Sequence, residues 1–283
     1  MNIGVVGLGL IGGSLCKAIK AYTHHSVWGE DRDEAVLSSA LEFGAIDGRL
    51  DGRALAGCDL VLSALYPADT IAYVRTHLDL FRPGCILLDV CGVKGVVCRG
   101  IREVIAGRDL VFIGGHPMAG REFSGFAVSD QDLFQGASMI LTPDADLDRD
   151  VLRRVSDFIL SLGFGRVINT TPEFHDRMIA YTSQLPHVIA SSYVKSPNCR
   201  FQLGFTGGSF EDMSRVAKLN EGMWTELFLD NPDHLVEEID TLVENLKEIR
   251  NAIDQRDAER LRALLAQGRV IKESLNNDND KDR

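Results

Sequence analysis

The sequence predicts a two-part chain: an α/β domain on a mostly parallel sheet, followed by an all-α domain. Three observations predict it. Short apolar runs alternate with helix-like stretches over roughly the first 170 residues, the pattern of repeated βαβ units. A glycine-rich segment, Gly7-Leu8-Gly9-Leu10-Ile11-Gly12, follows the first apolar run. Beyond Thr171-Pro172 no strand pattern is found, and apolar residues recur at helical spacing. The reading divides the chain into residues 1–170, residues 171–276 and a polar tail, 277–283, expected to be disordered.

The elements follow in order. Ile3-Gly4-Val5-Val6 reads as a strand, Gly12 to Lys20 as a helix and Ser26-Val27-Trp28-Gly29 as a second strand. Asp33 to Phe43 has helical composition. Asp59 to Ala64 and Cys85 to Asp89 are two more buried strands. Leu110 to Ile113 reads as a strand ending at Gly114 in an irregular loop, Gly114-Gly115-His116-Pro117-Met118-Ala119-Gly120-Arg121-Glu122-Phe123-Ser124-Gly125. Ser138 to Thr142 and Gly165 to Ile168 complete the set. Pro172 opens a helix, with Thr171 as N-cap. Leu235, Ile239, Leu242, Leu246, Ile249 and Ile253 form a heptad seam, and Leu261, Leu264, Leu265, Ile271 and Leu275 a second amphipathic stretch. These are two core helices of a bundle, or part of their surface pairs with a second copy of the chain.

Bulk properties exclude several classes. At 283 residues the chain can hold two cores, and 45% apolar with 25% charged residues is ordinary for a globular protein. A net charge of −11 argues against general binding to nucleic acid or membrane surfaces. No apolar run is long enough to span a bilayer, which takes about 18 residues. The start, Met1-Asn2-Ile3-Gly4, lacks a secretory pattern. The six cysteines form no Cys-x-x-Cys pair and no cluster with histidine. Reduced thiols, a cytoplasmic location and no metal site are expected.

Two segments carry chemistry by themselves. The glycine pattern lies between a strand and a helix, as a Rossmann-type dinucleotide site requires. Gly7 permits the tight turn, Gly9 lets the backbone approach a pyrophosphate, and Gly12 lets the helix pack close. Leu10 and Ile11 open the helix, whose N–H groups face the phosphates. The second strand ends in Glu30-Asp31, 18 and 19 residues past Gly12. A carboxylate there accepts from ribose hydroxyls and repels a 2′-phosphate, so Asp31 favours NAD over NADP, although the neighbouring Arg32 could bind such a phosphate. The other segment is the His116 loop. It sits at the carboxyl end of a strand, where open α/β sheets bind ligands, and an imidazole suits proton transfer near neutrality. A tight turn capped by histidine is the structural alternative.

The helical half contributes Ser183-Gln184-Leu185-Pro186-His187, in which a proline interrupts a helical pattern. It also contributes Gly207-Gly208-Ser209-Phe210-Glu211-Asp212-Met213-Ser214-Arg215, read as a loop with Ser209 as N-cap. There Asp212 and Arg215 share a helix face, as a surface ion pair or as a fork for a carboxylate. Met223-Trp224 follows.

With these residues together, the chain resembles the prephenate dehydrogenases and their arogenate-using relatives over roughly residues 2 to 275. The resemblance rests on the segment from Gly114 to Glu122, on Leu185-Pro186-His187, and on Gly208 to Arg215 followed by Met223-Trp224. It implies a Rossmann domain that binds NAD and a helical domain that forms a homodimer. It implies His116 as the catalytic histidine and Arg215 as the partner of a substrate carboxylate. His187 would contact the substrate, with Glu122, Asp212 and Trp224 lining or gating the pocket beside Gly208. In the family some pocket residues come from the partner subunit, which makes Asp212 and Trp224 candidates to act across the dimer. The implied reaction is oxidative decarboxylation of prephenate to 4-hydroxyphenylpyruvate, with arogenate as the rival substrate. Two departures stand out. Gly92, in Asp89-Val90-Cys91-Gly92-Val93-Lys94, replaces a serine that often supports the histidine, and Gln184 replaces the first histidine of Ser-His-Leu-Pro-His. An imine or β-hydroxy-acid oxidoreductase would use a lysine such as Lys195, which has no matching motif around it. A non-enzymatic NAD-sensing module would leave the His116 and Arg215 segments unexplained.

Overall fold

The computed structural model describes residues 1–121 and 123–279, the last four of these by backbone alone. Eight strands form one sheet: β1 (Asn2–Val6), β2 (Ser26–Glu30), β3 (Gly48–Arg49), β4 (Leu60–Ser63), β5 (Cys85–Asp89), β6 (Leu110–Pro117), β7 (Ser138–Thr142) and β8 (Arg166–Asn169). Their order is β3-β2-β1-β4-β5-β6-β7-β8, and every pairing is parallel except β6 with β7. The crossovers carry α1 (Leu10–Tyr22), α2 (Glu34–Glu42), α3 (Gly52–Leu55), α4 (Pro67–His77), α5 (Gly95–Val104) and α6 (Arg149–Ser161). Alternation along the strands feeds two apolar layers. Ile3, Val5, Leu60, Leu62 and Leu88 face one layer with Leu15 and Ile19 of α1. Val6, Val61 and Leu87 face the other with Val74 of α4 and Val97 and Ile101 of α5.

One expectation about the sheet is corrected. The strand beginning at Leu110 does not end at Gly114 but runs on to Pro117. It changes partner on the way: Leu110 to Ile113 pair in parallel with β5, and Gly114 to Pro117 pair antiparallel with β7. His116 is therefore a strand residue opposite Ile140, not part of a loop. A glycine pair reads as a strand end, but here it marks close packing. A Cβ on Gly115 would lie 2.6 Å from the Asp89 carbonyl oxygen and 2.9 Å from Leu88 Cδ1. The short strand β3 carries too few residues to show a pattern in sequence.

After β8 the chain is helical: α7 (Pro172–Ile179), a π-helical turn (Ala180–Gln184), α8 (Leu185–Tyr193), α9 (Gly208–Ser214), α10 (Glu221–Leu229), α11 (Pro232–Asp254) and α12 (Ala258–Asn279). Thr171 caps α7, accepting the Phe174 N–H at 3.2 Å. Ser209 is not the cap of α9: that helix begins at Gly208, and its N-cap is Gly207, which has no side chain to bond. Two compact units emerge, residues 1–232 and 233–283, so helices α7 to α10 group with the sheet. The boundary read at 170/171 marks where the strands stop. Backbone 277–279, assigned to a polar tail by the sequence, continues α12, and residues 280–283 lie outside the described residues. All six cysteines are free thiols, five of them buried.

The most demanding packing feature is a buried ion pair. Lys94 and Asp89 are both 0% exposed, and the Lys94 ammonium meets Asp89 Oδ2. Asp89 also accepts N–H groups from Cys91 at 2.9 Å and Gly115 at 3.3 Å. Burial opposes the Lys94 charge, but the Asp89 carboxylate outweighs it and holds the ammonium pKa above its ordinary value. Removing one member strands the other in the core, at a cost of about 3–5 kcal/mol. Asp89→Ala is accordingly expected to lose stability of that order in chemical denaturation. A loss no larger than that of an exposed pair, below about 1 kcal/mol, would contradict the role given to this pair.

Candidate active site

β6 delivers His116 to the edge of β5 and places it against α7. His116 Nδ1 lies 2.9 Å from Nε2 of His175, and His175 Nδ1 lies 2.8 Å from Asp176 Oδ1. Asp176 Oδ1 and Oδ2 also accept the backbone N–H groups of Lys94 at 2.8 Å and Gly95 at 2.7 Å, at the start of α5. Burial is the main cause that lowers the pKa of His116 well below 6.5, with His175 and Lys94 adding to it. Burial also lowers that of His175, against the opposing bond to Asp176. Both imidazoles are therefore neutral at pH 7.

The other ring nitrogen of His116 looks toward Gly92. A Cβ built on Gly92 would stand 3.9 Å from His116 Nε2 and 3.4 Å from Leu227 Cδ2 of α10, both ordinary contact distances. At the position where the family often carries a serine, Gly92 leaves room for a small side chain in ordinary contact with Leu227 and His116. Leu227 is fixed by the π-helical turn. Buried Gln184 donates to the Leu227 carbonyl at 2.8 Å, and its own oxygen accepts from Asn231 Nδ2 at 2.9 Å. Asn231 Nδ2 also reaches the Asp176 carbonyl at 2.8 Å. Gln184 thus braces α7 against α10, a task that needs one donor and one acceptor but no titration. A π-turn ahead of Pro186 is the local form taken by the interrupted helix, a feature frequent at functional sites.

A second cluster lies on α8 to α10. His187 donates Nδ1–H to the Val216 carbonyl at 2.9 Å, and Trp224 covers it with ring centroids 3.8 Å apart. Burial is the main cause that lowers its pKa, and the nearby Arg215 contributes. Arg215 begins the turn after α9 and is exposed, as are Asp212 and Gly208 on that helix. The contact of Trp224 with His187 is within one chain. Lys218 Nζ stands 5.1 Å from the Phe123 ring, which brings the segment after β6 beside the Arg215 turn. Glu122, in that segment, lies outside the described residues. Lys195 is exposed beyond the end of α8.

The glycine segment has the shape a dinucleotide requires. Gly7 has φ +84°, and a Cβ there would lie 2.7 Å from the Ala64 carbonyl oxygen. Around Gly9 a Cβ would meet nothing within 4 Å, which leaves room for a phosphate against the backbone. Gly9 is the N-cap of α1, Leu10 and Ile11 form its first turn, and no side chain caps it. Asp31 lies at the end of β2 with both oxygens engaged: Oδ2 accepts Leu8 N–H at 2.8 Å and Oδ1 accepts Asp33 N–H at 2.9 Å. Its carboxylate is held beside the glycine turn with lone pairs left for ribose hydroxyls. Glu30 is turned away to Tyr73, whose hydroxyl donates to it at 2.7 Å. Arg32 is exposed.

Sequence reasoning passed over His175, Asp176, Asn231 and Leu227. The first two stand one turn past the Thr171 cap, and a His-Asp dipeptide there was the available signal. Nothing local marked the other two.

Two family models account for most of the chain. Residues 15–169 match the prephenate dehydrogenase nucleotide-binding domain, and residues 171–267 match the prephenate dehydrogenase dimerization domain. A cyclohexadienyl dehydrogenase of Zymomonas mobilis is 30% identical over 99% of this chain and 97% of its own length. The structure of prephenate dehydrogenase from Aquifex aeolicus in complex with hydroxyphenyl propionate and NAD+ superimposes with TM-score 0.84. It is 26% identical and is covered over 97% of this chain and 98% of that one. Arogenate dehydrogenase from Synechocystis gives TM-score 0.81 at 25% identity, over 97% of this chain and all of that one.

The placement of Asp31 makes a binding prediction. In calorimetric titration NAD is expected to bind more tightly than NADP, and Asp31→Ala to weaken NAD about tenfold, or about 1.4 kcal/mol. Tighter binding of NADP by the unaltered protein would reverse the assignment.

Proposed function

The chain belongs to the prephenate dehydrogenase family and is an NAD-dependent oxidoreductase, and we propose that it oxidatively decarboxylates prephenate to 4-hydroxyphenylpyruvate with His116 as general base. The observation that carries the residue assignment is the His116 imidazole, neutral, with Nδ1 engaged by His175 and Nε2 turned toward Gly92, which has no side chain. A neutral Nε2 accepts the proton of the ring 4-hydroxyl while hydride departs from C4. The C–C bond to the ring carboxylate then breaks, carbon dioxide leaves, and the bonding pair completes the aromatic ring. The proton returns from His116 to the phenolate oxygen. NAD, when bound, supplies the hydride acceptor; Gly7, Gly9, Leu10, Ile11, Gly12 and Asp31 would hold it.

The substrate carries two carboxylates and the protein a net charge of −11, so cations must be concentrated locally. Arg215 is the carboxylate fork, and His187, fixed by Val216 and covered by Trp224, contacts the substrate through its free edge. Asp212 and Gly208, exposed on α9, would complete the pocket rim. Arogenate is the second reading, favoured by the likeness to the Synechocystis enzyme over the same extent of chain. Side-by-side assays of NADH formation on the two substrates decide between them.

The dimerization-domain match leads to a homodimer. In α11 the heptad-seam residues Leu246 and Ile253 are open to solvent, at 54% and 58%, as are Leu265, Ile271 and Leu275 of the second amphipathic stretch in α12, and a second copy would cover them. Among the described residues no helix is long and apolar enough to cross a membrane. With six free thiols, a cytoplasmic location is the proposal.

Three outcomes test this reading. His116→Ala is expected to lower kcat by about 10²–10⁴-fold with NAD binding kept, and Arg215→Ala to raise KM chiefly; near-normal turnover in the first would remove His116 as the base. The depressed His116 pKa sets the sign of the pH dependence, since the base form persists as pH falls. The profile of kcat/KM should stay flat through neutrality and fall only below pH 6.5, whereas an acid limb above neutrality would contradict a neutral, buried imidazole. Sedimentation should give a dimer that Leu246→Asp with Ile253→Asp shifts to monomer, and an unshifted dimer would place the interface elsewhere.

A further inference from the structure

We propose that His175 and Asp176 are positioning residues that set the tautomer of His116, so that its proton sits on Nδ1 and its lone pair on Nε2. The inference rests on His116 being the base of the proposed reaction.

The direction of every bond in the chain follows from its far end. Both oxygens of Asp176 accept backbone N–H groups, from Lys94 and Gly95. A carboxylate so used is an acceptor toward His175 as well, and His175 Nδ1 must carry the hydrogen. A neutral imidazole has one N–H, so His175 Nε2 is an acceptor. His116 Nδ1, 2.9 Å away, is then the donor, and Nε2 is left with its lone pair. Were His175 protonated it would donate from both nitrogens. His116 Nδ1 would then accept, and Nε2 would carry a hydrogen, useless to a base. Burial of the His175 ring keeps it neutral and guards against this state.

The device is rigidly mounted. His175 lies in the first turns of α7 with its N–H on the Thr171 carbonyl at 2.9 Å. The Asp176 backbone carbonyl is held by Asn231, and its carboxylate occupies the positive end of α5. On the opposite side of His116, Gly92 offers no side chain. Orientation comes from the Nδ1 side because the Nε2 side lacks the serine found in many relatives. When Nε2 takes the substrate proton, His116 becomes a cation. The lone pair of His175 Nε2, backed by the Asp176 carboxylate, faces its Nδ1–H and stabilises that charge without any further proton transfer.

The test reads the tautomer directly. Ring ¹⁵N chemical shifts of His116, assigned through the His116→Gln variant, are recorded in the free protein above neutral pH without substrate or NAD. The wild type should show the Nδ1–H form. His175→Leu removes the acceptor and should move the population toward Nε2–H, with kcat lowered about tenfold to a hundredfold and KM little changed. His175→Gln, whose amide oxygen can still accept, should restore the Nδ1–H form and most of kcat. An Nε2–H signal in the wild type overturns the proposal, as does a His175→Leu enzyme with unchanged tautomer and turnover. If the leucine variant does not fold, the wild-type spectrum and the glutamine variant still decide. Because the spectrum needs no turnover, failure of the tautomer assignment is distinct from failure of the base assignment, which an unimpaired His116→Ala enzyme would show.

Discussion

The carboxylate of Asp176 is the constraint on which the candidate site depends. It accepts three hydrogen bonds, two from the start of α5 and one from His175. The first two tie the helix after β5 to the helix after β8, segments more than 80 residues apart in sequence. The third passes the constraint to His116. One side chain therefore caps a helix, joins α7 to α5 and fixes the direction of a hydrogen-bonded pair of imidazoles. Charge-assisted bonds of this kind are roughly twice as strong as neutral ones, and the site is dry enough to preserve that strength.

The second level of support is the Asp89–Lys94 pair beneath it. Lys94 contributes its backbone to Asp176 and its side chain to Asp89, so it belongs to both networks. Asp89 in turn holds the Gly115 N–H next to His116. Of these two buried charges, Lys94 helps keep His116 neutral, and among the described residues no carboxylate touches His116 directly. Glycine at 115 is what lets β6 lie against the Asp89 carbonyl. The glycine pair, read as a signal of irregular backbone, is a packing requirement of the strand that carries His116.

Much of the fold was legible in the sequence for local reasons. The buried strands are continuous apolar runs, so Cys85–Asp89 and Ser138–Thr142 emerge with the boundaries the sequence predicts. The dinucleotide turn was legible because its three glycines fall within six residues between a strand and a helix, Gly7 and Gly12 in close contact with backbone and Gly9 open. The long helices α11 and α12 were legible from their periodicity. Less legible was whatever depends on pairing across the chain. The continuation of β6 is dictated by β7, which arrives more than 20 residues later. Gln184 looked like a weakened histidine because its partners, Leu227 and Asn231, lie over 40 residues downstream.

His116 itself shows where local reading stops. Its residue type and position at the end of a parallel run suggested a proton acceptor, but an imidazole has two nitrogens and the sequence does not say which is free. That question was sharpened by Gly92, which leaves one side of the ring without a side-chain partner. The answer comes from the opposite side and from a residue 59 positions away. A base in this fold needs one nitrogen tied down and the other exposed to substrate, and either face of the ring can supply the tie. With His175 and Asp176 on the Nδ1 face, the Nε2 face looks toward Gly92 beside Leu227 and needs no side-chain tie of its own.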